Sequence, residues 1–270
     1  MKKTLLLTAC ICFSFNAYSQ DKKKAEDCFN KGDYKCAEEQ YSKLAEKEQI
    51  QKFKSEYYDY LGTAQRRSGK AALAFKSYES ALKANPMSVS VYANLASLHS
   101  MKGNKIKALE YIQKGLQVDD KNPDLYLTRS KIYDGQGKKD LAINDLNQIL
   151  TFAPDNIFAK TGLATLKKNN GDLDGALKDY NQLISEKPES LLYNGRADVY
   201  LKMKKYREAL TDVNKAVSID PKFSQSYVTR ALILFDTGKP KEACDSLDKA
   251  VTLGYEKAVL TEYYAKCVKK

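Results

Sequence analysis

The chain has 270 residues, 45 Lys and Arg against 34 Asp and Glu, a formal net charge of +11, one histidine, six cysteines and no tryptophan. A single histidine leaves little from which to build a metal centre or an acid–base pair, and no apolar run is long enough to span a bilayer. The basic excess suits acidic partners or an anionic surface, yet no nucleic-acid-binding motif accompanies it, so nucleic acid is not an expected partner.

The chain opens MKKTLLLTACICFSFNAYSQ. Lys2 and Lys3 give a positive start, Thr4 to Phe15 a mostly apolar run, and Ala17 and Ser19 the small residues that flank a cleavage site. This pattern predicts a secretory signal peptide over 1–19, cut before Gln20. Leu7-Thr8-Ala9-Cys10 also resembles the box before a lipidated cysteine in bacterial lipoproteins. Only a short segment precedes Cys10, however, and the apolar run continues past it. The expected location is periplasmic or secreted, with an outer-membrane lipoprotein as the lesser alternative. Losing Lys2 and Lys3 takes two from +11 and leaves +9 on the mature chain.

From residue 18 onward a long period rules the sequence. Gly69, Gly103, Gly137 and Gly171 recur every 34 residues, each trailed by an alanine: Ala74, Ala108, Ala142 and Ala176. The series continues at Ala209 and Ala243. Such a period marks one supersecondary unit copied in tandem. Seven copies fit, over 18–54, 55–88, 89–122, 123–156, 157–189, 190–223 and 224–255. A capping helix over 256–270 follows, with Val259, Leu260, Tyr263, Tyr264 and Val268 as its covering face.

The first repeat carries Cys28 and Cys36. Facing residues of an antiparallel pair have nearly constant summed numbers, which places these two close to facing across the first turn. Cys244 and Cys267 would tie the last repeat to the cap. An exported chain meets an oxidising compartment, so these two bridges are expected; the alternative is four free cysteines packed as small hydrophobes. The second repeat has Gly62 and Ala74 at facing positions. The third has His99 where others have Tyr133, Tyr200 or Leu234, which reads as a packing residue rather than a base or ligand.

The fourth repeat shows the unit most clearly. Tyr126, Ser130 and Tyr133 fall on one helical face. Asp134-Gly135-Gln136-Gly137 breaks that helix. Leu141, Ala142, Leu146, Ile149 and Leu150 form a second helical face that ends at Pro154. Each repeat is therefore helix, tight turn, helix, and the short turn makes the pair antiparallel. Small residues such as Ser130 and Ala142 let the two axes approach to about 8 Å. Arg129 with Asp145, and Arg196 with Asp212 in the sixth repeat, are spaced to pair across the hairpin as structural ion pairs. The fifth repeat has Asp179 but Leu163 instead of arginine, so any pairing there must differ.

Tyr58-x-x-Leu61-Gly62, Gly69, Ala74, Tyr78, Ala81-Leu82 and Pro86 together resemble the tetratricopeptide repeat, as do Tyr193, Ala197, Tyr200, Tyr206, Ala209, Ala216 and Pro221. The resemblance covers nearly everything after residue 20, although tryptophan is absent and Lys160 stands at one aromatic position. It implies an all-α solenoid, a right-handed superhelix of about seven hairpins plus the capping helix. It also implies a concave groove lined by first helices. The groove positions would be Arg66, Ser97, Leu127, Lys131, Asp134, Lys168, Asn194, Asp198, Leu201 and Phe235. No set of lysines and asparagines in three successive first helices occurs, so capture of chain-terminal carboxylates in the manner of some family members is not expected.

The expected function is that of a monomeric, exported, non-enzymatic scaffold. It would bind a protein or peptide in the groove, within a bacterial envelope assembly, without cofactor or metal. The alternative is a basic surface that binds envelope polyanions or glycans through lysines such as Lys70, Lys102, Lys138, Lys139, Lys204 and Lys205.

Overall fold

A computed structural model describes residues 20–267 of the chain. The expected signal peptide, Cys10 within it, and Val268 of the expected cap lie outside the described residues.

The described residues are helical, with no strand among them. They fall into two compact blocks, one up to Asp120 and one from Lys121. The first block holds three hairpins. They pair α1 (20–30) with α2 (Tyr34–Lys47), α3 (Gln51–Arg67) with α4 (Ala71–Ala84), and α5 (Val89–Met101) with α6 (Lys105–Val118). The second block holds four. They pair α7 (Pro123–Asp134) with α8 (Lys139–Phe152), α9 (Ile157–Asn169) with α10 (Leu173–Glu186), α11 (Ser190–Lys202) with α12 (Tyr206–Ile219), and α13 (Ser224–Asp236) with α14 (Pro240–Thr252). A 3-10 turn over Lys257–Leu260 and the short α15 (Thr261–Cys267) close the second block.

Local chemistry fixes where these helices start and stop. The Asn122 side chain accepts a hydrogen bond from the Leu125 amide, and Pro123 occupies the first helical position of α7. Asn156 caps α9 and Asp172 caps α10 in the same way. Each cap satisfies a donor that the helix itself cannot. At the hairpin turns, an amide three or four residues past the helix bonds to the carbonyl five residues before it, as in Lys138 N–H to Tyr133 O at 2.9 Å and Lys205 N–H to Tyr200 O at 2.9 Å. That closure needs a left-handed residue. Gly137 supplies it at φ 72°, and Lys204 supplies it at φ 58° in the one turn that lacks glycine there.

Within each block the hairpins share cores built around small residues. Ala164 with Ala176, Ala197 with Ala209, and Ala231 with Ala243 are fully buried together. Bulky second-helix side chains fill the next gap. Tyr180 lies against Gly195 of the following hairpin, where an added Cβ would come within 2.4 Å of the ring. Leu146 lies against Gly162 in the same way, at 2.9 Å. Tyr78 lies against Gly62 of its own hairpin, at 2.7 Å.

The C-terminal cover differs from one continuous helix. Leu260 is buried and Tyr263, Tyr264 and Cys267 pack on the last hairpin, but Val259 is 59% exposed. The 3-10 turn has three residues per turn, so it rotates Val259 out of the face that an α-helix would have presented. Tyr264 donates to Asp248 Oδ1 at 2.9 Å, and Cys267 is joined to Cys244 with the two Cα atoms 5.9 Å apart. At the other end Cys28 is joined to Cys36, with Cα atoms 5.7 Å apart.

Candidate functional site

In the second block the first helices α7, α9, α11 and α13 also touch one another in succession. Between α7 and α9 their packing leaves a cleft of about 210 Å³. Its apolar wall comes from Leu127, Leu146, Leu166 and Leu191. Phe158 stands at its edge, 58% exposed. Gly162 keeps the cleft open at its deep side, since any side chain there would meet Leu146. Lys131 and Asp134 form a polar rim.

The rim residues differ in how far they are committed. Asp134 Oδ2 accepts from Asn169 Nδ2 at 2.9 Å, and Lys168 pairs with Asp198 on α11. Thr165 donates to its own helix at Thr161 O and shares a hydrogen bond with the Tyr180 hydroxyl at 3.0 Å. Burial pushes the Tyr180 phenol up to about 12, against the opposing effect of Thr165. Lys131 is exposed, and its side chain makes no hydrogen bond or ion pair to any described residue. It is the free cation at the mouth of an apolar cleft.

The sequence-derived groove residues thus divide. Leu127, Lys131 and Asp134 come together at the cleft. Lys168 and Asp198 are brought together as a pair, with only 11% of the lysine side chain exposed, so neither is a free contact. Asn194 is 7% exposed, so it offers little to a partner. Leu201 packs on the core of the sixth hairpin. Phe235 packs on the last core, under the Lys266 ammonium at 5.4 Å. Arg66 and Ser97 lie half-buried on α3 and α5 of the first block.

Both expected ion pairs form, and both are bidentate. Arg129 donates from Nε and Nη2 to Asp145 at 2.9 and 2.7 Å, and Arg196 does so to Asp212 at 2.7 and 2.8 Å. Arg196 also donates to Asn181 Oδ1 at 2.7 Å. The hydrogen bonds to the aspartates hold both guanidiniums above their ordinary pKa, against their own burial. In the fifth repeat Asp179 takes Lys167 instead, at 2.7 Å.

Periodicity alone did not reveal the clasps between neighbouring first helices. Asp59 on α3 accepts from Ser90 and Asn94 on α5, each at 2.8 Å, and its burial raises its pKa against those bonds. Asp59 to Asn94 and Asp134 to Asn169 are both 35 residues apart. A search for polar residues one repeat apart would have found them. His99 stacks on Tyr111 at 5.4 Å and meets a tilted Phe75 ring at 4.6 Å, and burial lowers its pKa. Among the described residues, no group of three or more His, Cys, Asp and Glu converges as a metal site.

Family models described as tetratricopeptide repeat match residues 61–124, 123–156, 190–223 and 224–253. A solved tetratricopeptide repeat protein from Parabacteroides merdae is similar at 30% identity, over 94% of this chain and 100% of that one, with a TM-score of 0.68. A thermophilic tetratricopeptide repeat protein of Thermus thermophilus is similar in fold at 22% identity, over 67% of this chain and 99% of that one, with a TM-score of 0.59. The small glutamine-rich tetratricopeptide repeat-containing protein 2 of Saccharomyces cerevisiae is 30% identical over 64 residues, 24% of this chain. The chain spans only 18% of that relative's length.

Proposed function

The chain belongs to the tetratricopeptide repeat family, whose members bind protein partners, and from that premise we propose that it is an exported, non-enzymatic scaffold that seats an apolar side chain of a protein or peptide in the α7–α9 cleft. The observation that carries this reading is the pairing of an open apolar slot with one uncommitted cation, Lys131. An apolar anchor entering the slot would leave water, and an acidic neighbour on the partner would meet the lysine. Interfaces draw most of their energy from such central anchors, while the rim sets register and encounter rate. Export is supported by the two joined cysteine pairs, since structural disulfides belong to oxidising compartments. A monomer within a bacterial envelope assembly is the setting we assign to it.

The test uses the full chain to capture proteins from the envelope of its own source, with three variants beside the parent. Phe158→Ser and Lys131→Glu should each cut recovery of the partner about tenfold, the equivalent of ~1.4 kcal/mol, with helix content unchanged. Ile219→Ser, an exposed apolar residue away from the cleft, should leave recovery intact. Recovery that survives both cleft variants overturns the assignment. Binding that disappears between low and moderate salt while both cleft variants stay silent would move the function to the lysine-rich surface and a polyanion.

A further inference from the structure

The arginine of the last repeat breaks the pattern set by its two predecessors. Arg129, Arg196 and Arg230 occupy the same place on the first helices α7, α11 and α13, each three residues after a tyrosine. Arg129 and Arg196 each hold a buried aspartate across the hairpin. At the corresponding place on α14, 34 residues after Asp212, the chain has Ser246. Arg196 has a second acceptor, Asn181. At the corresponding place, 34 residues on, α12 has Lys215. The last arginine has therefore lost both acceptors, one to a short hydroxyl and one to a like charge.

The structure shows the consequence. Arg230 Nε is shielded from solvent and finds no acceptor among the described residues. The space that the missing aspartate would fill is an open pocket of about 250 Å³ between α13 and α14. Arg230 and Lys249 supply two cations to its lining, and Ser246 a hydroxyl that donates to the Glu242 carbonyl at 2.9 Å. The Tyr227 hydroxyl, also in the lining, is engaged with Pro221 O at 3.1 Å. Glu242 and Asp245 complete the lining, but neither gives an oxygen to Arg230; the Glu242 carboxylate lies 3.8 Å from Lys239.

We propose that this pocket is a carboxylate-binding site, in which an external carboxylate takes the position at Arg230 that Asp145 and Asp212 take at Arg129 and Arg196. A planar guanidinium with a free Nε–H presents the fork that carboxylates accept from in parallel. The same fork is already filled, in the same register, in two other hairpins of the chain. The ligand class is a carboxylate, carried either by a small organic acid or by an acidic side chain of a peptide. The site is on the last hairpin, separate from the α7–α9 cleft, and stands whether or not that cleft binds a partner.

Arginine Nε–Hε resonances read the unpartnered atom directly. The full chain is titrated in one arm with acetate replacing chloride at fixed ionic strength, and in the other with a blocked tripeptide holding one glutamate. Loss in Arg230→Lys assigns the Arg230 peak. That peak should move saturably, with half-saturation on the order of 1–10 mM acetate, while the Arg129 and Arg196 peaks stay still. Ser246→Asp supplies the missing carboxylate from within. Its Arg230 peak should start near those of Arg129 and Arg196, and its response to acetate should fall at least about tenfold. A tighter response to the peptide than to acetate identifies a side-chain ligand; an equal or weaker one identifies a small acid. An Arg230 peak that ignores both probes overturns the site. So does a peak that responds equally in Ser246→Asp, or one that Glu242→Gln or Asp245→Asn moves before any probe is added, since the chain would then be furnishing its own carboxylate. Should Ser246→Asp fail to fold, Arg230→Met replaces it, and must abolish the rise in melting temperature that acetate gives over chloride.

Discussion

Lys204 holds φ 58° at a turn where Gly69, Gly103, Gly137, Gly171 and Gly238 hold between 72° and 89°. The left-handed conformation crowds Cβ against the following carbonyl, a penalty glycine escapes. The turn tolerates it because the hydrogen bond from Lys205 N–H to Tyr200 O is still made, at 2.9 Å. Lys204→Gly should therefore stabilise the second block by about 0.5–1 kcal/mol, the steric relief exceeding the added freedom of the unfolded chain. Urea unfolding of parent and variant gives the number directly. A lower midpoint for the variant would mean the lysine side chain contributes something its exposed position does not suggest. The same turn illustrates what a sequence discloses at single positions. Five glycines on a fixed period announce left-handed turns, but Lys204 is betrayed only by its register, because lysine carries no conformational signature of its own.

At the scale of helices, the governing feature is how a bulky side chain of one second helix meets a bare stretch of a first helix. Tyr180 is 1% exposed and lies over Gly195 so closely that a methyl group there would overlap the ring at 2.4 Å. Gly195→Ala must move the ring or push α11 from α10, and the Tyr180 hydroxyl would be pulled from Thr165 as it went. Overpacking of this kind costs about 1–3 kcal/mol. Pairing it with Tyr180→Leu should recover much of the loss, so a double-mutant cycle should show strong coupling. Additive costs would mean that the ring and the glycine are not the contact they look to be. The alternation of helices, their turns and their small-residue seams were legible because one backbone unit repeats and its spacing survives substitution. Which bulky residue meets which glycine was not: the Tyr78 and Tyr180 hydroxyls both bond a threonine of their own hairpin, yet the glycine against the ring is Gly62 of the same hairpin for Tyr78 and Gly195 of the next for Tyr180. That choice depends on side-chain volumes from two repeats at once.

Within each block, stability is a matter of neighbours, because each hairpin packs on those beside it. In such an array the terminal hairpins have one partner where inner ones have two, and fraying starts there. The two cysteine pairs sit in the first and last hairpins, where that weakness lies. Cys28 with Cys36 and the arginine–aspartate pairs were suggested by residue spacing, since these are contacts within one hairpin, whereas Cys244 with Cys267 joins α14 to the cap and was expected from the compartment. The α7–α9 cleft was readable only in part: Leu127, Lys131 and Asp134 follow from helical register, whereas Phe158 and Gly162 matter because of what a second helix places opposite them. Cys244 and Cys267 are 23 residues apart and fasten a seven-residue helix that buries no residue fully by itself. Replacing both with serine should lower stability by roughly 3 kcal/mol on the loop-closure account. The loss should also be local. Hydrogen exchange should accelerate over α14, the 3-10 turn and α15 while α7 to α11 keep their protection, because nearest-neighbour coupling fades within a repeat or two. Uniform acceleration across the second block would show that the cap stabilises all four hairpins as one cooperative body, and that the end is where this array is held rather than where it loosens.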